Sequence, residues 1–150
     1  MKRIKEIAVS IFVVVLIGIT LSVPVWAVTF YWSFDMSTNG RVVDGNKNGV
    51  YHKLSKGYVK IKGSIYTEKN ANGDGQPTNY VHFQLYNKSS GNCFGDIKKK
   101  PSGTALKSVD FSGVYSKKVG GGNKYYLVIW RGDSDGTSIG GSGKCYHYDK

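Results

Sequence analysis

Three stretches of this chain alternate apolar and polar residues with a period of two. That is the mark of a strand with one face in a core and one in water. "VTFYWSFDM" sets Val28, Phe30, Trp32, Phe34 and Met36 against Thr29, Tyr31, Ser33 and Asp35. "KGYVKIKGSIYTEK" interleaves Val59, Ile61, Gly63, Ile65 and Thr67 with Tyr58, Lys60, Lys62, Ser64, Tyr66 and Glu68. "NYVHFQLYN" points Val81, Phe83 and Leu85 one way and Tyr80, His82, Gln84 and Tyr86 the other. A helix returns its side chains every 3.6 residues, so none of these patterns fits one face of a helix. Beyond residue 27 no helical period persists, and the chain is expected to be all-β.

Turn chemistry divides the remainder. Asn39-Gly40, Asn48-Gly49 and Asn72-Gly73 read as tight turns, and Asn39-Gly40 as a two-residue hairpin whose central positions take positive φ. "RVV" and "VYHKL" are short strands, and "TALKSVDFSGVYSKKV" holds two more around Ser112-Gly113. "NKYYLVIWR" is apolar on both parities, as in a central strand. "KSSGNCFGDIKKKPSG" reads as a long polar loop with a brief strand at most. "GDSDGTSIGGSG" reads as a flexible loop before a last strand, "KCYHYD". About eight short strands with turns at such spacing predict one small antiparallel β-sandwich, of jelly-roll or immunoglobulin-like type, over residues 28–150.

Residues 1–27 have a different plan. Lys2, Arg3 and Lys5 precede the apolar run "IAVSIFVVVLIGITLSV", and Pro24, Val25 and Ala27 supply the helix break and small residues of a cleavage site. A secretory signal peptide is expected, with Val28 as the mature N-terminus; the run is also nearly long enough for a retained anchor. Only this segment, left uncleaved, would connect the protein with a membrane. Its removal takes Lys2, Arg3, Lys5 and Glu6 from the totals of 21 Lys+Arg and 10 Asp+Glu, leaving 18 against 9. Such an excess draws anionic partners: wall polymers, acidic glycans, lipid surfaces or nucleic acid. Export weighs against specific nucleic-acid recognition.

Cys93 and Cys145 are the only cysteines. In an oxidising compartment an even count points to a disulfide. This one would close a loop of about 50 residues, worth roughly 4 kcal/mol in the chain-entropy model. The other reading is a catalytic thiol, Cys93 or Cys145, served by His147.

Metal and catalytic chemistry find little footing. Asp44-x-Asn46-x-Asn48-Gly49 and Asn70-x-Asn72-x-Asp74-Gly75 match the first half of a calcium loop, but Ser55 and Val81 stand where its bidentate glutamate belongs. Asn, Asp and Gly are also what turns require, so no metal and no cofactor are expected. His52, His82 and His147 are scattered, and Glu68 is the one glutamate beyond residue 27, without a partner glutamate for glycosidase chemistry. Arg131-Gly132-Asp133 is a receptor-type tripeptide short enough to recur by chance. No enzyme is expected.

The polar faces carry more information. If strands 57–68 and 79–87 are neighbours, Tyr58, Lys60, Lys62, Tyr66, Tyr80, His82 and Tyr86 form one platform. Tyrosine offers a flat apolar body with a polar tip, and lysine attracts anions. The function expected is that of a secreted, non-enzymatic cationic β-sandwich binding an anionic cell-surface polymer or glycan of a bacterial envelope, with an antimicrobial or adhesive effect. The alternative is a protein–protein module (inhibitor, toxin or receptor ligand) acting through its loops, with Lys98, Lys99 and Lys100 in the contact segment.

Overall fold

Nine strands form in the computed structural model of the chain, which describes residues 28–70, 77, 79–133 and 135–149. The expected signal segment and the Asn72-Gly73 turn lie outside these residues. The strands are β1 (Thr29–Met36), β2 (Val42–Asp44), β3 (His52–Leu54), β4 (Tyr58–Asn70), β5 (Val81–Asn87), β6 (Cys93–Lys99), β7 (Val109–Val114), β8 (Gly122–Arg131) and β9 (Thr137–Tyr148). Sheet A runs β1-β9-β4-β7. Sheet B runs β2-β8-β5-β6, with β3 also paired to β8. Every ladder between named strands is antiparallel.

β2 and β3 follow one another along the same side of β8, Val42 opposite Trp130 and His52 opposite Tyr125. The turn between them interrupts what is otherwise one edge strand. Counted so, the molecule is an eight-position sandwich in which the chain's first and last strands pair and successive strands mostly change sheets. That is jelly-roll connectivity, one of the two arrangements expected. The central placing of "NKYYLVIWR" also holds: β8 lies between β2/β3 and β5. It sends Tyr125, Leu127, Ile129 and Arg131 inward and leaves Tyr126, Val128 and Trp130 half-buried outside.

The core is built from the alternating sets. Val59, Ile61, Ile65 and Thr67 of β4 and Val81, Phe83 and Leu85 of β5 are all fully buried, and Phe30, Trp32, Phe34 and Met36 of β1 nearly so. Trp32 is layered between the sheets, its ring 5.3 Å from that of Phe83 and 5.9 Å from that of Phe111. On its sheet A side it needs bare backbone. Gly63 and Gly143 are cross-strand partners, and a Cβ on either would stand 2.5 Å from the Trp32 ring. A Cβ on Gly141 would stand 2.7 Å from Phe34. "SIGGSG" is thus the body of β9 rather than a flexible loop; its glycines admit large rings from the neighbouring strand.

One end of the sandwich is closed by Arg131, the arginine of the tripeptide, which is 1% exposed. The Asn39-Gly40 turn makes no hairpin. It carries the chain from sheet A to sheet B, with Gly40 N–H donating to Ser37 O at 2.8 Å, so that Gly40 is the last turn residue and not a central one. Arg131 ties this turn down: Nε donates to Gly40 O (2.8 Å) and Nη2 to Ser37 O and Thr38 O (2.8 and 3.0 Å). Nη1 reaches the β8–β9 connection, donating to Asp135 Oδ1 (3.0 Å) and Thr137 O (2.8 Å). All five N–H bonds of the guanidinium are satisfied inside the protein, so the tripeptide offers no arginine to a receptor.

Arg131→Met should remove this tie and strand several buried acceptors. Equilibrium urea unfolding should show a loss of roughly 3–5 kcal/mol, the range for breaking a buried ion pair by removing one partner. Gly143→Ala should cost about 1–3 kcal/mol by overpacking against Trp32, and a blue or red shift in tryptophan emission should accompany it.

Candidate binding site

The predicted platform is divided between the two sheets. Tyr58, Lys60, Lys62 and Tyr66 lie on the outer face of sheet A, whereas His82 and Tyr86 belong to sheet B, with Tyr80 just before β5. β4 sits between β9 and β7, and β5 between β8 and β6, so the two strands are not neighbours. Alternation determines which side of a strand meets the core. It carries nothing about which strand lies alongside, and the chain changes sheets between residues 70 and 81.

The outer face of sheet B is paired with itself. The His82 ring stacks on Trp130 at 4.1 Å and 12°, and its Nδ1 lies 2.7 Å from Asp96 Oδ2. Tyr86 stacks on Tyr126 at 5.6 Å and 15°, and Tyr51 meets Tyr126 edge-on. Lys88 Nζ is 4.5 Å above the Tyr51 ring, and Lys98 Nζ is 5.2 Å above that of Tyr80. Burial pushes the Tyr86 and Tyr126 hydroxyls up from their ordinary pKa, for Tyr86 with help from a hydrogen bond to Cys93. Rings whose flat faces are turned to each other have little left for a ligand. Much of the expected contact loop is itself strand β6, with Lys98 and Lys99 inside it.

Cys93 and Cys145 are both free thiols, which corrects the expected disulfide. Cys93 stands opposite Tyr86 at the start of β6, on the outer side of sheet B. Cys145 is fully buried in sheet A, opposite Phe30 and Ile61. They belong to different sheets. Burial also pushes the Cys145 thiol well up from its ordinary pKa, away from nucleophilic use.

The calcium-like loop at Asp44 is accounted for by turn chemistry. Asp44 Oδ1 accepts from the backbone N–H of Asn46 at 2.9 Å, and Gly49 takes φ 69°. The second such loop, beyond Asn70, lies outside the described residues.

The outer face of sheet A is different. One row across its four strands reads Tyr31, Lys144, Lys62, Ser112, and the next reads Ser33, Ser142, Ser64, Asp110. Neighbouring strands are about 4.8 Å apart, so Lys62 and Lys144 stand side by side. Among the described residues neither makes an ion pair. Tyr31 is 75% exposed, and among the described residues no other ring packs on it. These residues, with Ser33 and Ser142, line an open groove of about 580 Å³ whose floor is the bare backbone of Gly63 and Gly143. Lys60 Nζ lies 5.1 Å above the Tyr148 ring and Lys144 Nζ 5.5 Å above that of Tyr146. Tyr66 covers Gly140 from outside, where a Cβ would stand 2.7 Å from its hydroxyl. Tyr58 lies apart, in a second hollow of about 390 Å³ with Lys56, Lys118 and His147.

Of the expected site residues, the groove therefore contains Lys62, with Lys60 beside it. It adds Tyr31, Ser33, Ser142 and Lys144, whose outward sense is visible in the alternation but whose meeting requires the pairing of the first strand with the last.

No protein-family model matches the sequence, and no curated protein matches it. Among solved structures, the fold is similar to the VP2 protein of infectious bursal disease virus in a subviral particle. That match has a TM-score of 0.46 at 11% identity and covers 83% of this chain and 33% of the other. A family 16 carbohydrate-binding module gives a TM-score of 0.39 at 12% identity, covering 73% of this chain and 71% of the other. A mitogen derived from Yersinia pseudotuberculosis gives 0.38 at 19% identity, covering 83% and 90%. The chain thus spans about a third of the length of the VP2 chain it matches.

Intact mass should be the same with and without reductant. A thiol reagent applied to the folded protein should modify Cys93 and spare Cys145 until denaturant is added, as read by mass spectrometry of peptides.

Proposed function

We propose that this is an exported binding protein that holds an anionic glycan or surface polymer in the sheet A groove, without turning it over. The observation that carries the reading is Lys62 directly opposite Lys144, with no carboxylate among the described residues paired to either. Like charges placed opposite each other in a ladder weaken it. An anion between them converts that repulsion into attraction, so the arrangement favours the bound state over the free one.

The surrounding residues suit a sugar polymer. Tyr31 presents an unoccupied ring face at one end of the row for stacking on a pyranose, and Ser33 and Ser142 supply hydroxyls for its polar edge. The polar lining of the groove is lysine, serine and tyrosine, with no carboxylate or imidazole to act as general acid or base. The excess of Lys+Arg over Asp+Glu supports charge-steered encounter. The basic head, apolar run and small residues before Val28 support export to where such polymers are found.

Binding to polygalacturonate should be readable by calorimetry and weaken steeply as ionic strength rises, because exposed charges are screened beyond about 10 Å at 0.1 M salt. Dextran, which is neutral, should bind far more weakly. Lys62→Ala and Lys144→Ala should each lower affinity roughly three- to tenfold at low salt, and Tyr31→Ala roughly tenfold. Lys98→Glu, on the other sheet, should leave it unchanged. Salt-independent binding, or groove variants that bind as the parent does, would overturn the reading.

A further inference from the structure

Followed along its strands, the outer face of sheet A differs in charge on the two sides of the groove. On one side Asp110 ends the row of Ser33, Ser142 and Ser64, and Asp35 begins the next row opposite Gly140. Both carboxylates are exposed, and among the described residues neither is in an ion pair. An anionic chain leaving the groove in that direction meets like charge.

In the other direction the sign stays positive. Lys60 stands opposite Tyr146, and Tyr58 opposite Tyr148. Beyond them lies the hollow of about 390 Å³, lined by Lys56, Lys118 and His147. The carboxylate in its lining, Asp149, is held by His147, whose Nε2 lies 2.9 Å from Oδ1. Gly57, at φ 140°, lies so close under the His147 ring that a Cβ would collide with it. Here too bare backbone forms part of the lining.

The lysines along this path are held in place by rings. Lys144 Nζ lies 5.5 Å above the Tyr146 ring, Lys60 Nζ 5.1 Å above that of Tyr148, and Lys118 Nζ 5.2 Å above that of Tyr58. An ammonium within about 6 Å of a ring centroid is attracted by the ring's negative face. The tyrosines thus act as mounts for cations rather than as stacking surfaces. Among the described residues no carboxylate pairs with Lys56, Lys60 or Lys118.

We propose that groove and hollow are the two ends of one track, which holds a linear polyanion lengthwise along β4 and β9. The chain lies over Lys62 and Lys144, passes Lys60, and ends against Lys56 and Lys118. Antiparallel strands advance about 3.4 Å per residue, so Lys62 and Tyr58 are about 14 Å apart, with the hollow beyond. The inference rests on the glycan reading of the groove and adds a direction and a minimum length to it. The ligand is a chain charged on its repeating units, of which a single unit or a pair fills only the groove end.

The test compares digalacturonate with hexagalacturonate by calorimetry at low salt. The hexamer should bind roughly twentyfold more tightly or better, more than its extra registers supply, because its second contact is intramolecular. Lys56→Ala combined with Lys118→Ala, at two exposed positions, should remove most of that gain and leave the dimer's affinity as in the parent. In amide nuclear magnetic resonance spectra the dimer should shift Gly63 and Gly143, and the hexamer should shift Gly57 and Lys118 as well. Equal affinities for the two oligomers, or hexamer binding indifferent to the double substitution, overturns the track and leaves the groove standing. Binding of neither oligomer overturns the groove reading and the track with it.

Discussion

The guanidinium of Arg131 joins the two sheets at one end, and the sheet A groove depends on that join. Through Gly40, Ser37 and Thr38 it holds the turn leaving β1, and through Asp135 and Thr137 the connection entering β9. β1 and β9 are the strands that supply Tyr31, Ser33, Ser142 and Lys144 to the groove. A buried ion pair is weak support for stability when compared with an apolar replacement. Here its use is geometric: five directed donors at one point set the ends of the first and last strands in register.

The second constraint is the match between large rings and bare backbone. Trp32 reaches across the inner surface of sheet A because Gly143 and Gly63 give it room, and Phe34 is accommodated by Gly141. The same glycines make the groove floor on the other side. One indole and two glycines thus set the thickness of the wall between groove and core.

Much of the fold was legible in the residues. Period-two alternation in "VTFYWSFDM", "KGYVKIKGSIYTEK" and "NYVHFQLYN" identified each inward set, and the two-parity character of "NKYYLVIWR" marked the central strand. The glycines of β9 were misread as a loop because glycine's entropy and turn preference dominate any local reading. The rings of Trp32 and Phe34, more than a hundred residues away in sequence, explain Gly143 and Gly141, and the ring of Tyr66 explains Gly140. The disulfide failed for a related reason. Cysteine count and compartment say that a pair is plausible, whereas bonding requires two Cα atoms within about 7 Å, which the chain's path between sheets decides. The proposed groove was half legible: Lys60 and Lys62 stand among the expected residues, but Tyr31 and Lys144 needed the pairing of strands from opposite ends of the chain.

The two outer faces show how similar compositions acquire different meanings. Both are rich in tyrosine and lysine. On sheet B each ring has a partner, His82 with Trp130 and Tyr86 with Tyr126, and the one carboxylate that a charge-binding reading would count, Asp96, is held by His82. That face is consistent with itself at every level, which is how a sequence specifies structure. On sheet A the row through Lys62 and Lys144 contradicts the ladder it sits in, and among the described residues the ring of Tyr31 packs on no other ring. Local conflicts of this kind lower stability with no structural return, so they are the places where function is expected to reside. What sets the groove apart is therefore less its abundance of lysine and tyrosine than the places where their interactions are left incomplete.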